Sequence, residues 1–312
     1  MNPVEKMAAR VLSRHGLRPP YDLESLVREY GQIEYHSFPI NADGITIGIG
    51  GETKPDILIN NQQPVTRQKF TLAHELGHII IPWHTGTIVS HIDSVLADLE
   101  YREMESEANQ FASELLIPRS WLLEIKEDLN SVESFINKVL VDTSASRDAV
   151  LIKIFNILDI PIVCAHVDIF GQVTKVYRTK SAPGGANLID KNAFAEEIFS
   201  TYESEETFSL GDRDYKAWVF DNLDVKETDD RPWRDILKKI LTETDNENLL
   251  QSVNATMASR YSSNKGKSEN EICSRIIQSY DGVEKFKKIA THPLFSQYVI
   301  KRVRELNKRN II

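Results

Sequence analysis

Arg67-Gln68-Lys69-Phe70-Thr71-Leu72-Ala73-His74-Glu75-Leu76-Gly77-His78 is the stretch on which the reading of this chain turns. Its apolar positions recur at helical spacing: Phe70, Ala73, Gly77 and Ile81 form a stripe at ~100° per residue, with His74 and His78 along one edge. Two imidazoles four residues apart on a helix face the same way and can reach one metal ion. Glu75 stands beside them, where it can take a proton from an activated water. With 8 His and 26 Glu in 312 residues, the pentapeptide alone would turn up in about two random chains in a hundred, so its setting must carry the argument. Gly77 costs a helix about 1 kcal/mol relative to Ala, which is understandable if another backbone approaches there.

A catalytic metal of this type needs a third protein ligand, commonly from a later helix. The stretch Glu103 to Ala112 offers one. Its core stripe is Met104, Ala108, Phe111 and Leu115, with Glu105 on the flank of the small residues Ala108 and Ala112, and Glu107 on the flank of Glu114, read as solvated. Glu105 is therefore the expected third ligand and Glu107 the alternative. The donor set of two His and one Glu points to one Zn2+ ion, with Mn2+ or iron as substitutes.

Around these helices the pattern of breakers sets out an α+β chain. Residues 3–16 and 22–30 read as short helices parted by Arg18-Pro19-Pro20, with Asp22 as a cap. Residues 32–38, 44–49 and 55–60 read as a small antiparallel sheet. The motif helix spans about 66–81 and stops at Pro82, residues 83–98 read as loop with a weak helix, and a second helix covers 99–116. Residues 119–158 look helical with a turn near Asp142-Thr143-Ser144. Strands follow at 161–167 and 172–177, and from Asn192 onward the chain reads as mostly helical, with charged loops at 203–206 and 226–231. The expected organisation is a peptidase-like domain over 1–118, a helix-turn-helix-like segment over 119–160 and a mixed α/β, mainly helical domain over 161–312.

Residues 64–118, through RQKFTLAHELGH and then ESEANQFASELLIP, resemble the ImmA/IrrE family of zinc metallo-endopeptidases. The resemblance implies a zincin-like domain in which His74, His78 and Glu105 hold zinc and Glu75 is the general base. It also implies a substrate, a helix-turn-helix transcriptional repressor whose cleavage derepresses a mobile element or stress regulon. Many relatives carry an amino-terminal DNA-binding domain of the repressor type, whereas here the peptidase begins almost at residue 1. DNA targeting would then come from a partner or from 119–158. An oxyanion donor is also expected, with His84, His91 and Tyr101 as candidates, and the strand Asp56 to Asn60 is read as an edge to which substrate could add.

Composition sets the remaining expectations. The net charge is -9, and residues 1–160 hold 14 Lys+Arg against 23 Asp+Glu, so the excess acidity lies in the first half. That favours a basic protein partner and argues against direct nucleic-acid binding. The terminal run Lys301, Arg302, Arg304, Lys308, Arg309 reads as a solvated helix face, and Trp218, Trp233 and Phe295 as core. No stretch approaches the ~18 apolar residues of a membrane span, and the charged N-terminus lacks the apolar core of a secretory signal, so a cytoplasmic location is expected. Cys164 and Cys273 are expected to be inert thiols. A different class of function, a metal-containing regulatory protein that sequesters its partner without cleaving it, is the competing reading.

Overall fold

Asn2 opens the first helix, α1 (Pro3–His15), with a reciprocal capping box: its side chain accepts from the Glu5 amide and the Glu5 carboxylate accepts from the Asn2 amide, both at 2.8 Å. The computed structural model describes residues 1–90, 99–128, 130–183, 187–194, 198–199, 201–221, 223, 226–281 and 283–309. The chain divides into two compact units, Met1–Ile157 and Leu158–Ile312.

In the first unit, α1 and the Asp22-capped α2 (Leu23–Arg28) precede a four-stranded sheet of β1 (Gln32–His36), β2 (Gly44–Ile49), β3 (Asp56–Asn60) and β4 (Gly86–Ser90), ordered β1-β3-β2-β4. The sheet is mixed, because β1 runs parallel to β3 while the other pairs are antiparallel. This corrects the expectation of an antiparallel sheet: α2 and the turn after it return the chain in the same direction, which breakers alone do not reveal. It also corrects the reading of Asp56–Asn60 as an edge, since β3 is paired on both sides. Part of the stretch expected as loop is the strand β4, a partner of β2, whose Gly-Thr-Ile-Val-Ser is too short to declare itself without that neighbour; residues 91–98 lie outside the described residues.

Between β3 and β4 runs α3 (Val65–Ile80). It ends where Ile81, held extended ahead of Pro82, leaves the helical region. Helix α4 (Leu99–Leu116) packs on α3, and the two meet at Gly77. A Cβ at Gly77 would lie 3.3 Å from the Ala108 Cα and 3.1 Å from Phe111. The glycine thus admits a second backbone. Ala73, Ala108, Phe111, Ala112 and Leu115 are all buried in this contact. Three helices close the unit: α5 (Arg119–Ile125), α6 (Val132–Thr143), and α7 (Arg147–Ile157), the last two parted by Ser144 at φ 49. Glu114, read from sequence as solvated, is instead 2% exposed and paired to Lys153 of α7 at 2.8 Å, with its other oxygen accepting from the Arg119 amide. The seventh helix supplies the counter-charge that turns its flank inward.

In the second unit a wholly antiparallel sheet of β5 (Ile162–Val167), β6 (Val173–Arg178), β7 (Ser204–Leu210) and β8 (Arg213–Val219) is ordered β6-β5-β8-β7. Strands β7 and β8 correct the expectation of helix and charged loop over this region. Phe208 and Leu210 alternate inward on β7, while β8 is buried from Tyr215 through Trp218, and a Gly211-Asp212 turn with Gly211 at φ 64 joins the two; the alternation of β7 beside that turn is the legible sign of a hairpin. The remainder is helical, α8 (Trp233–Glu243), α9 (Leu250–Ser263), α10 (Glu269–Tyr280), α11 (Lys287–Ala290) and α12 (Phe295–Arg309), around a core that includes Tyr280, Phe295 and Tyr298. Trp218 and Phe295 are buried, and Trp233 is packed against the helical core. In the basic terminal run, Lys301 and Arg304 pair with Glu227, Arg304 also with Glu269, and Arg302 with Glu305. Both cysteines are free and buried, and burial pushes the Cys273 thiol up to about 12. Among the described residues no helix is long and apolar enough to cross a membrane.

Candidate metal centre

His74 and His78 lie one turn apart on α3 and are fully buried, with Nε2 atoms 2.9 Å apart. Glu105, from the first half of α4, brings its two carboxylate oxygens to 3.5 Å from His74 Nε2 and 3.3 Å from His78 Nε2. These three are the one group of potential metal ligands that converges in this way among the described residues. Burial opposes ionisation of Glu105, but hydrogen bonds from both imidazoles, with their charge, hold its carboxyl well below the usual range.

The donor atoms fit a metal ion. A tetrahedral site with bonds of ~2.0–2.1 Å has edges of about 3.3–3.4 Å. The two His–Glu105 separations, each to a different carboxylate oxygen, lie near that length, and the two imidazoles need only spread by a few tenths of an ångström. Glu107, the alternative ligand, is turned elsewhere. Its Oε2 accepts from Trp83 Nε1 at 2.6 Å and lies 3.0 Å from His84 Nε2.

Glu75 shares the helix with the two histidines but faces the sheet. Its Oε2 accepts from the Thr46 hydroxyl of β2 at 2.6 Å, and its Oε1, although buried, has no hydrogen-bond partner among the described residues. An unpaired buried oxygen is costly and invites a donor, for which the buried, unpartnered Ser90 hydroxyl, water or substrate are candidates. Burial pushes the Glu75 pKa up to about 7, against the opposing pull of His78 and of the Thr46 and Ser90 hydroxyls. The carboxyl can therefore hold or release a proton near neutral pH. Gly44 at the start of β2 makes the room: a Cβ there would lie under 3.0 Å from both the Glu75 carboxylate and the Thr71 methyl.

The proposed oxyanion donors fare differently. Tyr101 already donates its hydroxyl to the Val89 carbonyl of β4, and His91 lies outside the described residues. His84 is buried behind His78 on its Nδ1 side, at 2.9 Å. Asn109, not singled out in the sequence, brings its Oδ1 to 3.0 Å from His74 Nδ1. Asn109 was legible in principle, because it stands four residues after Glu105 on the same helix face.

Comparison with known proteins gives this site a context. Residues 20–154 match the IrrE N-terminal-like domain, Peptidase M78. No curated protein matches the chain. Among solved structures, a Mycobacterium tuberculosis transcriptional regulator is similar at 12% identity over 70% of this chain and 75% of that one, with a TM-score of 0.39. The span similar to the IrrE N-terminal-like domain, residues 20–154, carries His74, Glu75, His78 and Glu105 alike.

Proposed function

We propose that this chain is a metal-dependent endopeptidase of zincin type, with His74, His78 and Glu105 as ligands of one Zn2+ and Glu75 as the general base. The observation that carries the reading is the convergence of those three donors beside a buried carboxylate with one oxygen unpaired. A divalent metal there supplies Lewis acidity, acidifying a water and polarising a peptide carbonyl. Glu75 does the proton work: its free Oε1 receives a proton from the attacking water and returns it to the leaving amine, while Thr46 fixes the other oxygen. In this reading the ligand His residues stay neutral, as metal binding requires. An extended substrate adds to the sheet at β4, an edge among the described residues, whose Ile88 is paired with Thr46.

The substrate we infer is a helix-turn-helix repressor. The excess acidity of residues 1–160 suits a basic DNA-binding protein as partner. The site lies in the cytoplasm on this reading. Full burial of Glu75 favours a second reading, in which the metal-holding protein sequesters the repressor without cutting it.

Glu75→Gln separates the two. Co-expression with the repressor encoded nearest its gene, followed by mass spectrometry, is expected to give a discrete fragment with the native chain. With the variant, cleavage should fall about 10²–10⁴-fold, with one zinc retained. Derepression that persists unchanged in the variant, with the repressor intact, would establish sequestration instead.

A further inference from the structure

Each imidazole of the metal triad has a second nitrogen, and the two are held differently. His74 Nδ1 faces the Asn109 side-chain oxygen at 3.0 Å. His78 Nδ1 faces another imidazole, His84 Nδ1, at 2.9 Å; His84 Nε2 lies 3.0 Å from Glu107 Oε2, and Trp83 Nε1 donates to that same oxygen at 2.6 Å. His78 and His84 are buried.

The protons along this line have one consistent arrangement when a metal is present. A metal takes the lone pair of His78 Nε2, which leaves the proton of the neutral ring on Nδ1. That N–H needs an acceptor, so His84 must present a bare Nδ1 and carry its own proton on Nε2. From there the proton points at the Glu107 carboxylate oxygen, which accepts from Trp83 as well. The opposite arrangement would place a proton on His78 Nε2 and close the ligand position.

We propose that His84 and Glu107, with Trp83 fixing the carboxylate, form a relay that locks His78 in its Nδ1–H tautomer and strengthens the nitrogen it offers to the metal. They are positioning residues, since His84 and Glu107 act only through His78. His84 follows His74 by ten residues, the separation at which the longer motif H-E-x-x-H-x-x-G-x-x-H places a third metal ligand. In this chain Ile81 replaces the glycine of that motif and the ring lies behind His78. A residue at ligand spacing thus supports a ligand, and Glu105 fills the vacated role. The inference rests on the metal-binding reading of the triad and is independent of the substrate.

The test uses the full chain loaded with Zn2+. Long-range 15N–1H NMR of the native protein is expected to show His78 as the Nδ1–H tautomer and His84 as the Nε2–H tautomer, a result that needs no variant. Zinc affinity by chelator competition is expected to drop about 10–100-fold in His84→Phe. Glu107→Gln, which keeps an acceptor oxygen without the charge, should fall between the native protein and Glu107→Leu. Co2+ substituted for zinc should show a shifted visible spectrum in His84→Phe. His84 found with its proton on Nδ1, or a folded His84→Phe that holds zinc as tightly as the native chain, overturns the relay. A native chain that takes up no zinc overturns the metal reading and the relay with it. One that binds zinc, shows these tautomers and cuts nothing overturns the peptidase reading alone.

Discussion

Gly44 is a glycine because Glu75 occupies the space its side chain would need. Gly44→Ala is expected to displace the Glu75 carboxylate from Thr46 and to lower cleavage at least tenfold, while zinc stoichiometry stays at one because no ligand moves. Steady-state kinetics beside metal analysis would check this, and a fully active Gly44→Ala would show that the observed pose of Glu75 is not the working one. Lys69, immediately before Phe70, illustrates a different local balance. Burial lowers its pKa more than the charge of Asp22 raises it. Below the folded pKa the ammonium is charged in both the folded and unfolded chain, so the burial penalty is fully present there. That penalty fades as pH rises from the folded pKa through the unfolded value near 10.4. Lys69→Met should therefore raise the melting temperature where the ammonium is charged, and the gain should close as pH rises past the unfolded value. Thermal melts across pH would show it.

At the scale of elements, the pairing of α3 with α4 sets the distance between the histidines and Glu105, and Gly77 against Ala108 is what lets the axes approach. The far end of α4 is tied down differently, by the buried Glu114–Lys153 pair to α7. Removing one partner leaves an uncompensated charge in the interior, so Glu114→Met or Lys153→Met alone is expected to cost about 3–5 kcal/mol. The double variant should recover most of that loss, less the hydrogen bond that Glu114 accepts from the Arg119 amide. A double-mutant cycle by denaturant unfolding measures the coupling directly; two single losses that simply add would show the charges are not coupled.

For the whole molecule, the division into units at Ile157 and Leu158 predicts more than one cooperative transition in calorimetry. The three candidate ligands, His74, His78 and Glu105, all lie in the first unit. A ligand that binds only the folded state stabilises by RT ln(1 + [L]/Kd), about 2.7 kcal/mol at a hundredfold excess over Kd. Zinc should therefore raise the transition of residues 1–157, and a chelator should lower it. A zinc shift confined to the other transition would place the metal elsewhere. The pairing of Lys301, Arg302 and Arg304 with glutamates of the second unit leaves that basic run largely neutralised, so DNA binding by it is not expected.

The sequence by itself determined the motif helix, its partner helix, the residues fit to hold a metal and the need for a close approach at Gly77. Each of these follows from spacing along one helix, a local property that 3.6 residues per turn converts into a shared face. What only the tertiary structure decided are relations between elements distant in sequence. The parallel pairing of β1 with β3, the approach of Glu105 rather than Glu107 to the two histidines, the burial of Glu114 against Lys153 and the place of His84 behind His78 each depend on which face a second element presents. The β7–β8 hairpin stands between the two cases, written in the alternation of β7 beside Gly211-Asp212 yet masked by its charged residues, which lie on the solvent side of a strand as readily as in a loop.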